Sequence, residues 1–199
     1  MASDPGNVLT VLLVEGPTEE IFYKRVKTAC LDRICSVKIE SLEGLFNVNK
    51  KILQALTTKY TGQRVRAYCC LDRESRYAKV PGLDLEFVTR VLGEKGASNV
   101  LSVDAIIATR MIESCFFYDV AGIYAHLRVP RAQRQPKKYR PPEKFCVEDL
   151  KYLFRRYGKN YIEGARAENF INKLDLEKIV RECAALRKGI DLILSRGRS

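Results

Sequence analysis

The chain has 199 residues, of which 46% are hydrophobic and 30% are charged, and its net charge is +11 at neutral pH. This length allows one sizeable core with a small appendage. No apolar run approaches the roughly 20 residues that span a bilayer, and the first residues lack the features of a signal peptide, so we expect no membrane segment. The odd number of cysteines without CxxC spacing is most simply explained by reduced thiols, so we expect a cytoplasmic protein. The positive charge favours an anionic partner, nucleic acid first and an acidic membrane surface second.

The chain opens with a strand, a tight turn and a helix. Residues 8–14 form an apolar run rich in Val and Leu, which is typical of a strand buried on both faces of a parallel sheet. Gly16 ends this run, and Pro17 fits the first position of a helix that continues to about Cys30. Glu15 therefore stands at the carboxyl end of a strand, where open α/β sheets bind ligands.

The alternation of strand and helix continues along the chain. The patterns predict strands at 36–40, 65–71 and 100–109, and helices at 46–56, 83–92 and 111–127. This order predicts an α/β core over residues 8–127, with a doubly wound, mainly parallel four-stranded sheet flanked by helices.

A basic, proline-rich segment follows the core. Its prolines exclude a helix, so residues 128–146 are expected to form a loop or arm, and residues 147–194 a helical C-terminal extension packed on the core. The segment is interpreted either as a solvated linker or as a nucleic-acid arm. The candidate nucleic-acid contacts are basic residues after the third strand and in this arm: Arg73, Arg76, Arg131, Arg134, Lys137, Lys138 and Arg140.

Acidic side chains follow two of the predicted strands. Glu15 follows the first strand, and Asp72 and Glu74 follow the third. The first and third strands commonly lie side by side in a doubly wound sheet, so these carboxylates should meet, and Glu19 can lean towards them from the first helical turn. Such a cluster requires a cation or raised pKa values, and a ligand set made only of oxygen suits Mg²⁺ or Mn²⁺.

A simpler interpretation exists for each of these acids. Glu15 could be an N-cap or an ordinary turn residue, and Glu19 could simply interact favourably with the helix dipole. Asp72 could be a loop acid paired with Arg73 or Arg76.

Several familiar catalytic patterns are missing from the sequence. It contains neither a GxxxxGK[ST] phosphate loop nor a GxGxxG dinucleotide fingerprint. The seven cysteines show no CxxC spacing, and the single histidine, His126, is expected at an exposed helix end. A structural zinc site and a histidine-based triad are therefore not expected.

The acidic stretches resemble a known family. Residues 13–19 (Leu-Val-Glu-Gly-Pro-Thr-Glu) and 71–74 (Leu-Asp-Arg-Glu) are similar to the Toprim domain, which is marked by a glutamate after the first strand and an Asp-x-Asp after the third. Glu74 stands where that family has its second aspartate. The Glu15-x-x-x-Glu19 pair most resembles the nuclease branch, the overcoming-lysogenisation-defect nucleases, in which the resemblance implies that both glutamates bind metal.

Two later stretches resemble stand-alone Toprim proteins, which are often encoded beside ABC-type ATPases and linked to phage defence. These are residues 111–119 (Met-Ile-Glu-Ser-Cys-Phe-Phe-Tyr-Asp) and 167–176 (Ala-Glu-Asn-Phe-Ile-Asn-Lys-Leu-Asp-Leu). The resemblance implies that Glu113 is a further metal ligand and that Lys173 neutralises charge on the attacked phosphate. The alternatives are a buried Glu113 paired with Arg110 and a solvated Lys173.

We therefore expect a Mg²⁺- or Mn²⁺-dependent nuclease that cleaves phosphodiester bonds of DNA or RNA. Glu15, Asp72, Glu74 and Lys173 are its candidate catalytic residues. The sequence leaves open whether the protein has an ABC-type ATPase partner and whether it forms a homo-oligomer. The alternatives are a non-catalytic nucleic-acid-binding or regulatory subunit, and an RNA-specific enzyme that cleaves tRNA or ribosomal RNA.

Overall fold

The computed structural model describes residues 8–31, 35–73, 80, 82–108 and 110–197. Within these ranges one sheet contains four strands, each paired in parallel with its neighbours, in the order β2-β1-β3-β4. The strands are β1 (Leu9–Val14), β2 (Val37–Ser41), β3 (Val65–Asp72) and β4 (Val100–Ala108). The parallel α/β architecture predicted from the alternation of apolar patterns is confirmed.

Helices cover both faces of the sheet. On one face, Val11 and Leu13 of β1 pack against α2 and α3; on the other, Leu12 and Val14 pack against the remaining helices. This explains why β1 has no polar alternation, since both of its faces are buried. The helices are α1 (Pro17–Val26), α2 (Val48–Gln54), α3 (Leu85–Glu94), α4 (Ile112–Phe116), α5 (Val120–His126), α6 (Val147–Arg156), α7 (Glu168–Ile171), α8 (Leu176–Glu182) and α9 (Ala184–Gly197).

The sheet register brings the ends of β1 and β3 together. Val14, the last residue of β1, pairs with Cys70, so Glu15 is level with Leu71 and next to Asp72. Neighbouring strands are about 4.8 Å apart, which places two acidic residues at one edge of the sheet.

Two helices differ from the sequence prediction. The helix predicted at 111–127 is broken by a 3₁₀ turn at Phe117–Asp119, because the Asp119 carboxylate caps α5 by accepting the backbone N–H of Gly122 at 3.2 Å. The helix predicted at 46–56 begins only at Val48, since Asn47 is left-handed (φ 54°). Each break is made by a local backbone conformation that apolar periodicity does not report.

The basic segment contains three short 3₁₀ turns between Arg131 and Lys144 and, as the prolines predict, no α-helix. The ring of Tyr139 is buried and stacks on Phe117, so it anchors the segment to the core. The C-terminal helices share one apolar cluster with the sheet, and Gly189 of α9 lies against Ile106 of β4. Among the described residues, no helix is both long and apolar enough to cross a membrane.

Candidate active site

A cleft of about 440 Å³ opens where the carboxyl ends of β1 and β3 meet the N-termini of α1 and α4. The loop after β2 and the segment before α7 complete its walls. Carboxylate side chains dominate the polar groups of its lining: Glu15, Glu19, Glu43, Asp72, Glu113 and Glu163. The structure thus brings together the described members of the acidic group predicted from sequence, and it adds Glu43 and Glu163.

Asp72, the last residue of β3, joins the sheet to α4. One of its carboxylate oxygens, Oδ2, accepts the backbone N–H of Ile112 at 3.0 Å. Burial, followed by the negative charges of Glu19, Glu113 and Glu15, raises the pKa of Asp72 well above its usual value, and the bond from Ile112 opposes this shift. The carboxylate is 9% exposed and therefore sits in a negative field that a cation would relieve.

Glu19 is held over the same cleft by the start of α1. Pro17 occupies the first turn of α1, as predicted, and the Glu19 carboxylate accepts the backbone N–H of Gly16 and its own N–H. A carboxylate at this position reaches back to the N-cap, as in half of a capping box. Burial raises the pKa of Glu19 nevertheless, because these two hydrogen bonds do not replace its hydration.

Glu113 lies in the first turn of α4 and is the most buried of these acids, at 5% exposure. Burial is the main reason that its pKa is raised to about 7, and the charges of Glu19 and Glu163 add to the effect. The hydroxyl of Tyr161 donates to Glu113 Oε1 at 3.0 Å. Glu113 therefore pairs with a tyrosine, while the alternative partner, Arg110, donates to the backbone carbonyl of Lys144.

The segment before α7 closes the cleft from the far end of the chain. The backbone N–H of Gly164 donates to Thr18 Oγ1 at 2.8 Å, which fastens this segment to α1. Glu163 lines the cleft and forms an ion pair of 2.6 Å with Lys151 of α6. Sequence analysis missed Tyr161 and Glu163. Both lie in a segment without helical or strand periodicity, so no local pattern indicates that the tertiary fold places them near the acidic residues.

Lys173 is not brought to the cleft. It follows α7, its side chain is exposed, and its charge helps to lower the pKa of His126, after the larger effects of burial and Lys159. His126 is the last residue of α5, as predicted, but it is half-buried against the rings of Phe154 and Phe170 and not exposed. Lys173 is therefore not among the residues that line the cleft.

The other predicted site residues lie after β3 and in the basic arm. Glu74 and Arg76 lie outside the described residues. Arg73 directly follows Asp72 and is half-buried, with its Nε atom buried. The five basic residues predicted in the arm are all exposed: Arg131, Arg134, Lys137, Lys138 and Arg140.

The chemistry of the cleft suits a hard divalent cation, although its atoms are not arranged around one. The donors are carboxylate oxygens, the ligands that Mg²⁺ and Mn²⁺ prefer, and burial, followed by their mutual repulsion, raises the pKa values of Asp72 and Glu113. Within the described ranges, no three His, Cys, Asp or Glu side chains lie close enough together to hold a metal ion as they stand. Binding would thus require the carboxylates to close in on the ion.

Comparison with solved structures confirms the fold. The C-terminal region of the Burkholderia pseudomallei OLD protein aligns with a TM-score of 0.52 and 15% sequence identity, over 94% of this chain and 98% of that one. The C-terminal region of the Xanthomonas campestris pv. campestris OLD protein aligns with a TM-score of 0.41 and 15% identity, over 92% and 97%. No protein-family model and no curated protein matches the sequence. The likeness to the Burkholderia region shows that the two chains share a fold.

Proposed function

We propose that this protein is a divalent-metal-dependent nuclease that cleaves phosphodiester bonds of DNA or RNA. The observation that carries the proposal is the convergence of Glu19, Asp72 and Glu113, buried carboxylates from three separate elements, in one cleft with raised pKa values. Repulsion of this kind destabilises a fold unless a bound cation compensates for it. The shared fold and the Toprim-like motifs add support.

Each cleft residue has a proposed task. Asp72, Glu15 and Glu19 would hold Mg²⁺ or Mn²⁺, and Glu113, oriented by Tyr161, would complete the ligand set. When bound, the ion supplies Lewis-acid chemistry and makes a water molecule easier to deprotonate. A carboxylate of the cleft would take the proton from that water, and the exposed cations of the arm would hold the polyanionic backbone.

A plasmid-nicking assay with Mg²⁺ or Mn²⁺, with and without EDTA, tests this proposal. We expect cleavage that EDTA abolishes and that Glu15→Gln removes, while retention on nucleic acid survives. Glu86→Gln is the matched control, because Glu86 is exposed on α3 and does not line the cleft. Parallel incubation with total RNA distinguishes a DNA nuclease from an enzyme that cleaves tRNA or ribosomal RNA.

The second candidate function is a non-catalytic nucleic-acid-binding or regulatory subunit. It is favoured by the open arrangement of the carboxylates and by Glu74 in the place of an aspartate. Binding of nucleic acid without cleavage in the presence of either Mg²⁺ or Mn²⁺ would support this alternative. An ABC-type ATPase partner and a role in phage defence belong to the proposal only through the resemblance of the motifs.

A further inference from the structure

The loop after β2 is an ordered lip of the acidic cleft. Its residues Glu43 and Gly44 line the cleft, and the backbone N–H of Gly44 donates to the carbonyl of Glu15 at 2.8 Å. Lys51 of α2 clamps the loop, since its Nζ donates to the carbonyls of Glu43 and Gly44 at 2.8 and 3.1 Å. The loop is therefore fastened both to the strand end that carries Glu15 and to the helix behind it.

The backbone of this lip is strained. Glu43 and Asn47 have φ values of 54°, and Gly44 has 90°. Left-handed conformations of residues other than glycine cost of order 1 kcal/mol each, and they persist where the surrounding structure enforces them, often at ligand-binding sites. The hydrogen bonds from Gly44 and Lys51 supply that enforcement here.

The strained lip presents an aromatic ring to solvent. Phe46 is 82% exposed, whereas no other phenylalanine among the described residues exceeds 38%. It lies two residues beyond Gly44, and because consecutive Cα atoms are about 3.8 Å apart, its Cα is within about 8 Å of the cleft wall. An isolated exposed apolar side chain is ordinary on a protein surface. Phe46, however, follows a loop backbone that hydrogen bonds fasten to the cleft wall, so its ring lies within reach of a polymer that extends beyond the cleft.

We propose that Phe46 stacks on an unpaired base next to the phosphodiester held in the cleft, so that the preferred substrate is single-stranded or locally unpaired nucleic acid. The inference rests on the proposed function. A base within a duplex has both faces covered by its neighbours, whereas an unpaired base offers a face to an aromatic side chain.

The test compares binding of one fluorescent 20-nucleotide sequence as a single strand and as a duplex. The full chain carries Glu15→Gln so that the strand stays intact, and Mg²⁺ is present throughout. Phe46→Ala should weaken single-strand binding about tenfold and change duplex binding less than twofold, as expected for the loss of one base-stacking contact. Phe46→Trp should restore single-strand affinity, and Phe46→Leu should not.

Phe87→Ala is the matched control, since Phe87 is the other exposed phenylalanine and lies on α3 outside the cleft lining. Equal weakening of single-strand and duplex binding, full rescue by Phe46→Leu, or no effect of Phe46→Ala would overturn the inference. Loss of self-association in Phe46→Ala without a change in oligonucleotide affinity would also overturn it, by making Phe46 a protein contact.

Cleavage by the wild-type chain is measured in parallel. Cleavage combined with unaltered single-strand binding by Phe46→Ala refutes the stacking role alone. Absence of cleavage combined with the expected binding differences refutes the nuclease function and supports the stacking contact.

Discussion

Asp72 accepts the backbone N–H of Ile112 at 3.0 Å, and this bond ties the end of β3 to the start of the helix that carries Glu113. The same bond fixes one oxygen of a buried carboxylate whose pKa is raised by burial and by three neighbouring acids. A site built in this way disfavours several charged carboxylates at once, so we expect a bound cation or bound protons to compensate.

Asp72→Asn should stabilise the metal-free protein at pH 8 and abolish its stabilisation by Mg²⁺ or Mn²⁺. The amide keeps an acceptor for the Ile112 N–H and removes a charge from a negative field. We expect a gain of about 1 to 3 kcal/mol in the free energy of unfolding. Urea denaturation with and without metal measures both effects, with Glu86→Gln as the control. A destabilised variant that still responds to metal would contradict the prediction.

The metal-free protein should lose stability as the pH rises. Burial raises the pKa of Glu113 from 4.5 to about 7, so folding takes up a proton near neutral pH. This contribution is fully present below about pH 4.5 and is lost as the pH rises through 7. It amounts to about 2.5 kcal/mol between pH 5 and 8.

Chemical denaturation in EDTA at several pH values measures how the free energy of unfolding changes with pH. Glu113→Gln should make this dependence weaker. Because metal binding needs the deprotonated carboxylate, stabilisation by Mg²⁺ should grow over the same pH range. A profile identical in the wild type and in Glu113→Gln would show that Glu113 does not titrate as its surroundings imply.

Tyr161→Phe should weaken metal binding about tenfold while preserving the fold. The Tyr161 hydroxyl donates to Glu113 and lowers its pKa, so its loss disfavours the carboxylate form that binds metal. The ring packs against Phe154 and Phe170, and a phenylalanine keeps those contacts. Calorimetric titration with Mn²⁺ gives the affinity, and unchanged affinity would remove Tyr161 from the site.

Substitution of two arm lysines should lower the salt dependence of nucleic-acid binding. Lys137 and Lys138 are both exposed, so Lys137→Gln/Lys138→Gln should not change stability. Two lost phosphate contacts reduce the slope of log K against log salt by about 1.8 on duplex DNA. Lys95→Gln/Lys188→Gln, at exposed sites outside the arm, is the control. Equal slopes for the two double variants would make the arm a solvated linker.

The sequence predicts the sheet and much of the site because both depend on local signals. The apolar run of β1, Gly16 and Pro17 place Glu15 and Glu19 at a strand end and in a first helical turn, and the strand order then brings Asp72 alongside. These signals act within a few residues or through the right-handed connections of parallel strands.

The remaining features depend on tertiary packing. Glu163 lines the cleft and Tyr161 reaches Glu113 in a segment that the Gly164 N–H fastens to Thr18, a contact across 146 positions of the chain. Lys173 lies near His126 and does not line the cleft. Neither outcome has a signature in residue spacing.

The most direct test of the central claim is a crystal structure of the protein soaked in Mn²⁺, with anomalous differences measured near the manganese edge. The proposed site predicts a peak between Asp72 and Glu15 or Glu19, with the carboxylates drawn towards it relative to metal-free crystals. A cleft without a peak at saturating Mn²⁺, its carboxylates unchanged, would contradict the metal site and the nuclease function built on it.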